Sequence, residues 1–427
     1  MIDHVVLNDL ILELRRFYGQ GVYSGLTSSI SKNKPFIRLS FVLIGFFKKF
    51  VLFNFIALCF VLLFFRAFRY AQNNKHIFQY GVTKNNVRAF NKLNDCLSRD
   101  IVDNTSLNYR GARFCERLKA VASIGDLFEA ARVLSKDCHS DPLVQVRAII
   151  GAASYVLYSI CPVAKSVSVL CVASDHSPVA KALVAVFHEK NNKTCYIQHA
   201  PVTEYFPPLN THLSILYDEK TIQIYKRCAD KLSQSFEANI TLMTPFEEAF
   251  KHPELLSNEF TVGICLGRFP EKKRFAPVID LLLGMEEVGN VVLRQHPACK
   301  LDLSYSHKKV ALQPVGQDLS EFVKNVDIAL VPSSGVAIEL LHSGVPTFYV
   351  EGLDDLPVDY YGFVEDGILP LLDMNYFPSV GSINSFFGDD WKAKYASYDA
   401  TVLNSIESMQ KNVAVSFQKI VLDIGVS

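Results

Sequence analysis

Among its 427 residues the chain has no CxxC pair, no DxD triplet and no excess of charge of either sign. The missing CxxC pairs argue against a zinc ribbon or a thioredoxin-like redox site. Lys+Arg and Asp+Glu both total 43, so no global basic field exists to attract nucleic acid, and none is expected as a partner. Asp389 and Asp390 are merely adjacent carboxylates, and no metal site is expected. Internal repeats and low-complexity tracts are also missing, which sets aside solenoids and disordered linkers. The ten cysteines are scattered, several inside apolar runs such as SVLCVAS and VGICLG, where a free thiol behaves as a small hydrophobe. Unpaired cysteines of this kind suit a reducing compartment.

What the chain does have is grease. Hydrophobic residues make up 49% against 20% charged, and the mean hydropathy is +0.17, which is high for a soluble enzyme. The surplus lies between Phe41 and Ala71. Lys48 and Lys49 divide that run, and the longer arm, Phe50 to Phe65, is apolar apart from Asn54. About 16 residues at 1.5 Å each reach roughly 24 Å, short of the ~30 Å hydrocarbon core. Three readings stay open: a tilted span with snorkelling Lys48, Lys49, Arg66 and Arg69, a half-inserted monotopic helix, and a helix buried in protein. No small-residue cleavage site follows the run, so a removed signal peptide is disfavoured. Residues 1–80 are therefore expected to form a helical, membrane-associating segment. Its first part, VVLNDLILELRRF, spaces Val5, Leu7, Leu10, Ile11 and Leu14 as one face of an amphipathic helix that docks on protein or lipid.

From about residue 80 the texture changes. Residues 85–134 read as helical. Strand-like and helix-like stretches then alternate: SVSVLCVAS, SPVAKALVAVFHEK, KTCYIQHA, then HLSIL running into a helix. A second series starts near Glu259 with FTVGICLGRF and continues through NVVLRQHP, DIALVPSS, GVAIELLHSG and VPTFYVEG. Between them lies PFEEAFKHPELLSNEF, a polar, proline-containing linker. Such βαβ rhythm predicts two parallel-sheet α/β domains, at 81–255 and 256–427, with closing C-terminal helices. Ligands of such folds bind in the crevice at the carboxyl ends of the strands.

Four polar constellations fall at those strand ends. Arg294-Gln295-His296-Pro297 delivers an imidazole to the rim, and Pro297 both stops the strand and keeps His296 extended. A neutral imidazole can hydrogen-bond a phosphate, and its protonated form can donate to a departing one. Strand alternation sends Arg294 and Gln295 to opposite faces. Ser333-Ser334-Gly335 ends the next strand and opens a helix, offering hydroxyls and free amides to an anion; Glu339, one turn on, could accept from a ribose. Ordinary N-capping by Ser334 is the alternative. His199, in Gln198-His199-Ala200-Pro201, faces the cleft from the other domain or caps a core edge. Asp218, after HLSILY, is placed either as a general base or as the cap of the helix TIQIYKR. Asp175 and His176 make a similar, less supported pair.

The stretches VVLRQHPACK and DIALVPSSGVAIELLHSGVPTFYVE resemble the HP and SS motifs of GT-B glycosyltransferases that build bacterial surface polysaccharides. The nearest groups are the bacterial sialyl- and polysialyltransferases and the CDP-glycerol glycerophosphotransferases of teichoic-acid synthesis. YIQHAP looks like a Gln-His-Gly strand end of related capsule enzymes, with Ala200 in place of glycine. LYDEKTIQIY looks like the sialyltransferase YDDG segment, with Lys220 in place of its glycine. The resemblance covers roughly residues 165–355. It implies a metal-independent enzyme without cofactor that transfers a sugar from a nucleotide-activated donor, CMP-linked by preference, to a surface polysaccharide or lipid-linked glycan. Arg294, His296, Pro297, Ser333, Ser334, Gly335 and Glu339 would hold the donor, while His199 or Asp218 would activate the acceptor hydroxyl. A membrane-bound acceptor would explain the greasy run, and the cytoplasmic face of the inner membrane is the expected location. A polyol-phosphate transferase, a sugar-nucleotide epimerase and a non-catalytic scaffold of polysaccharide assembly are the alternatives.

Overall fold

The computed structural model describes residues 3–20, 69–70, 76–107, 110–111, 124–136, 141–160, 167–236, 239–267, 270–297, 299, 305, 307–314, 316–353, 358–373 and 376–422. The greasy run at 41–65 lies outside them. Among the described residues no helix is long and apolar enough to cross a membrane.

Helix α1 (His4–Tyr18) starts where the Asp3 carboxylate accepts from the amides of Val5 and Val6. It docks on protein. Leu7, Leu10, Ile11 and Leu14 are buried as their spacing predicts, joined by Phe17 and Tyr18, whereas Val5 is 70% exposed. Two short strands, β1 (Arg69–Tyr70) and β4 (Arg110–Gly111), pair antiparallel. The first large sheet holds β2 (Ile77–Tyr80), β3 (Thr105–Leu107), β5 (Val169–Val172), β6 (Lys193–Ile197), β7 (Leu213–Leu216) and β8 (Ile240–Leu242). They are parallel throughout, in the order β3-β2-β5-β6-β7-β8. Counted along the chain within this sheet, that is 2-1-3-4-5-6, and the order reverses at β2 and β5.

The sheet is covered on both faces, which is why its strands read as unbroken apolar runs. Side chains alternate between two cores. Phe78, Leu170, Val172, Tyr196 and Leu216 pack with α1 and with α4 (Ile124–Lys136), α5 (Pro142–Ile160) and α6 (Pro178–Glu189). Ile77, Val169, Cys171, Cys195, Ile197 and Ile215 face the other way. There they meet α2 (Lys84–Cys96) and, from the far end of the chain, α13 (Ile406–Leu422), through Phe90, Val413, Phe417 and Ile420. Thus the stretch 85–134, expected to be helical throughout, contains strand β3 after the short helix α3 (Arg99–Asp103). The final helix returns to the first sheet.

The second sheet contains β9 (Phe260–Cys265), β10 (Val288–Arg294), β11 (Val310–Leu312), β12 (Ile328–Val331) and β13 (Thr347–Tyr349). All are parallel, ordered β11-β10-β9-β12-β13, or 3-2-1-4-5 along the chain. Here the reversal falls between β9 and β12. The sheet is flanked by α8 (Lys272–Leu283), α9 (Leu319–Val323) and α10 (Val336–His342), followed by α11 (Val380–Phe386) and α12 (Asp389–Tyr395). Trp391 and Tyr395 stack at 4.8 Å, and the Trp391 indole donates to the Ile368 carbonyl at 2.9 Å, so α12 seals this core. Two parallel-sheet α/β domains result, as the βαβ rhythm predicts. The six cysteines among the described residues are all free thiols.

Candidate active site

One cleft lies where the carboxyl ends of the two sheets meet. The first domain contributes α2, the Gln198–Val202 loop after β6, and the start of α7 (Glu219–Asp230); the second contributes Gly335, Glu339, Tyr361, Phe363, Tyr398 and Asp399. Each wall is built by short-range chemistry. At the end of β6, the Gln198 side chain accepts from the Tyr217 amide at 2.7 Å and donates to the Ala200 carbonyl and to Thr221. That amide therefore ties the loop carrying His199 to the helix start carrying Asp218. Asp218 is the N-cap of α7, its carboxylate accepting from the Thr221 amide at 2.7 Å. On α2, Thr83 and Asn86 form a capping box, and the Asn86 side chain also donates to the Ala173 carbonyl at 3.3 Å, fixing the helix to the end of β5.

The domains touch around the cleft. The Lys220 amide donates to the Ser397 carbonyl at 2.8 Å, its ammonium pairs with Asp366 at 2.5 Å and lies 5.5 Å from the Tyr398 ring centre. Tyr205 stacks on Tyr360 at 6.3 Å. Gly335 abuts Pro201: a Cβ at position 335 would meet the proline ring at 2.9 Å. The glycine thus allows a close approach of protein to protein.

Burial sets the electrostatics. Asp218 is buried, and desolvation pushes its carboxyl up to about 7, with Asp399 and Glu219 adding to the rise and the Thr221 hydrogen bonds opposing it. His199 is pulled down to about 4 by desolvation, against the pull of Asp175, so its imidazole is neutral at neutral pH. Its Nδ1 is buried with no hydrogen-bond partner among the described residues. Glu339 is raised, again chiefly by desolvation, with Arg88 and Arg294 opposing. Asp399 is held from beneath: His342 Nδ1 lies 2.7 Å from its carboxylate, the Thr401 hydroxyl donates to it at 2.6 Å, and Phe246 stacks flat on His342 at 3.6 Å. A carboxyl raised to about 7, in a cleft that also holds a neutral imidazole, can take a proton from a hydroxyl at physiological pH.

His199, Asp218, Gly335 and Glu339 all line this cleft. Asp218 combines the two roles the sequence left open, since it both caps a helix and faces the cavity. Arg294, His296, Pro297, Ser333 and Ser334 are not among the lining residues. Arg294 donates to the Gln313 side chain at 2.7 Å and to the Gln317 carbonyl at 3.0 Å, bracing the edge strand β11. Gln295 is buried and His296 half-buried. The Ser333 hydroxyl accepts from the Tyr360 amide at 2.8 Å, and Ser334 accepts from the Val336 amide at 3.4 Å. The N-cap residue of α10 is Gly335, one position later than the Ser334 cap considered from sequence. Asp175 and His176 bond to each other at 2.8 Å and turn toward α1, where Tyr18 donates to the His176 carbonyl.

Sequence reasoning missed Arg88, Lys92, Tyr361, Phe363, Tyr398 and Asp399. Arg88 and Lys92 had a usable signal, a polar face at helical spacing directly after a first strand. That signal depended on reading IFQY as β2. The three rings and Asp399 sit in loops or one-turn segments and carry no pattern in the sequence.

No protein-family model matches the chain. No curated protein matches it either. Solved structures do. A glycotransferase of kitacinnamycin is 11% identical over 82% of this chain and 99% of its own, with a TM-score of 0.44. The UDP-GlcNAc 2-epimerase from Neisseria meningitidis, bound to UDP-GlcNAc, is 12% identical over 81% and 98%, with a TM-score of 0.42. A chain of the GtfA/B complex is 13% identical with a TM-score of 0.35; 60% of this chain matches it and spans 57% of its length. Likeness of this depth leaves the function to be argued from the chain's own residues.

Proposed function

We propose that this chain is a metal-independent GT-B-type glycosyltransferase that moves a sugar from a nucleotide-activated donor to a glycan acceptor in the cleft between its two domains. The observation that carries this reading is Asp218, a carboxyl that burial raises to about 7, on the wall of the cleft between the domains. Its carboxylate takes the proton of an acceptor hydroxyl as that oxygen attacks the sugar's anomeric carbon. The bond from that carbon to the donor phosphate breaks, and the phosphate leaves with the electron pair. His199, neutral and held by its loop, orients the acceptor.

The donor sits on the second domain, at the reversal between β9 and β12. Gly335 and Glu339, on the cleft wall, take its phosphate and its ribose, while Ser333, Ser334, His296, Arg294 and Pro297, which do not line the cleft, position that wall from the ends of β12 and β10. A CMP-linked sugar is the favoured donor, and a surface polysaccharide or lipid-linked glycan the acceptor. The apolar run at 41–65 would keep the enzyme at the cytoplasmic face of the inner membrane, where such acceptors are made.

The test is thermal-shift titration of the full chain with CMP, CDP, UDP and GDP, since a ligand of the folded state raises its melting temperature by mass action. One nucleotide is expected to stabilise the wild type; Glu339→Ala is expected to lose most of that shift, and His296→Ala and Ser333→Ala part of it. A folded protein that no nucleotide stabilises would overturn the reading.

A further inference from the structure

One wall of the cleft is chemically unlike the other. Asn85, Arg88, Ala89 and Lys92 of α2 all line it, spaced so that a single face of the helix looks into the cavity. Arg88 is exposed and makes no ion pair among the described residues, although its charge is felt by Tyr217 on its own wall and by Glu339 on the facing one. The Lys92 side chain is only 16% exposed, and its ion-pair partner among the described residues, Glu247, stands 3.5 Å away and 85% exposed. Keeping an ammonium that deep with so thin a partner has a cost, and desolvation lowers the Lys92 pKa accordingly. Lys220, the third cation of the cleft, is committed to Asp366. The facing wall supplies carboxylates and rings but no cation.

We infer that Arg88 and Lys92 form an anion subsite on α2 that takes a phosphate or carboxylate of a substrate entering the cleft. A guanidinium and an ammonium on one helix face, about 6 Å apart at their Cβ atoms, can grip one such group from two sides. Because the pair belongs to the wall opposite Gly335 and Glu339, the acid group is that of the acceptor, and the acceptor is an acidic glycan. This last step rests on the transferase reading; the subsite itself does not.

The experiment is isothermal titration calorimetry on the full chain with trigalacturonic acid, with maltotriose as its uncharged counterpart, and with CMP and UDP. Wild type, Arg88→Ala, Arg88→Lys and Lys92→Ala are compared at low and high salt. Trigalacturonic acid is expected to bind and maltotriose not to. Arg88→Ala should weaken the acid's binding by about tenfold, the size of one lost charge-assisted hydrogen-bond partner. Arg88→Lys should restore part of it, and salt should weaken the wild type more than the alanine variant. If the variants instead lose CMP or UDP by the same factor and leave the trisaccharide alone, the subsite stands and its anion is the donor's phosphate. If no probe's affinity responds to either residue, in variants whose melting temperature matches the wild type, the subsite is overturned. Absence of nucleotide binding in the wild type with trisaccharide binding intact would remove the transferase reading and keep the subsite.

Discussion

Asp218 shows how one side chain can be legible and still ambiguous. Its position after an apolar strand and before a helix marks it in the sequence both as a cap and as a strand-end carboxylate. Only burial decides what it can do chemically, because desolvation moves its carboxyl from 3.8 to about 7. A carboxyl whose folded pKa lies above its unfolded value holds its proton better in the fold. The stability it contributes is therefore complete below about pH 4 and is lost as pH rises through 7. Asn at 218 stays neutral and remains a good cap. Asp218→Asn is thus expected to melt progressively higher than the wild type as pH rises from 5 to 8, in scanning calorimetry at several pH values. A wild type that gains on the variant over that range would show the carboxylate to be paired and ionised instead.

At the scale of elements, β5, β6, β7, β9, β10, β12 and β13 were readable, because strands buried on both faces are unbroken apolar runs between turn residues. The short strands β2, β3, β8 and β11 were not. IFQY is only four residues long and follows a far greasier stretch, and TSL carries no periodicity at all. The helix behind β2 was read as a helix, but without β2 nothing placed it at a strand end, so the charged wall of the cleft went unseen. The final helix was readable as a helix, but its partner was not, since spacing says which face is apolar and not what covers it. Phe417 is fully buried between α13 and the first sheet. Phe417→Ala is expected to cost about 3–5 kcal/mol in urea unfolding, a penalty that would be far smaller if α13 were a dispensable tail. The β12–α10 turn is testable in the same way. The extra methyl of Gly335→Ala meets the Pro201 ring at 2.9 Å, so the two domains must shift apart. A loss of about 1–3 kcal/mol is expected from such overpacking. An unchanged melting temperature would mean that Pro201 does not sit against this turn.

For the whole molecule, two parallel sheets point their carboxyl ends at one gap, and a few contacts set its width: Lys220 with Asp366 and Ser397, Tyr205 on Tyr360, Gly335 against Pro201. None of these pairs was visible in the sequence, because each joins residues more than 130 positions apart whose meeting depends on how the domains dock. The gap gathers a buried carboxylate, a neutral imidazole and three cations from one domain, and rings with further carboxylates from the other. The most direct measurement is nucleotide release from CMP-, CDP-, UDP- and GDP-sugars, with acidic glycan acceptors, by wild type and Asp218→Asn across pH 5–9. Acceptor-dependent release from one donor is expected, rising as pH passes about 7, with the variant slower by about 100-fold or more while still binding the nucleotide. Release at the wild-type rate by Asp218→Asn, or no release from any donor, would contradict the account.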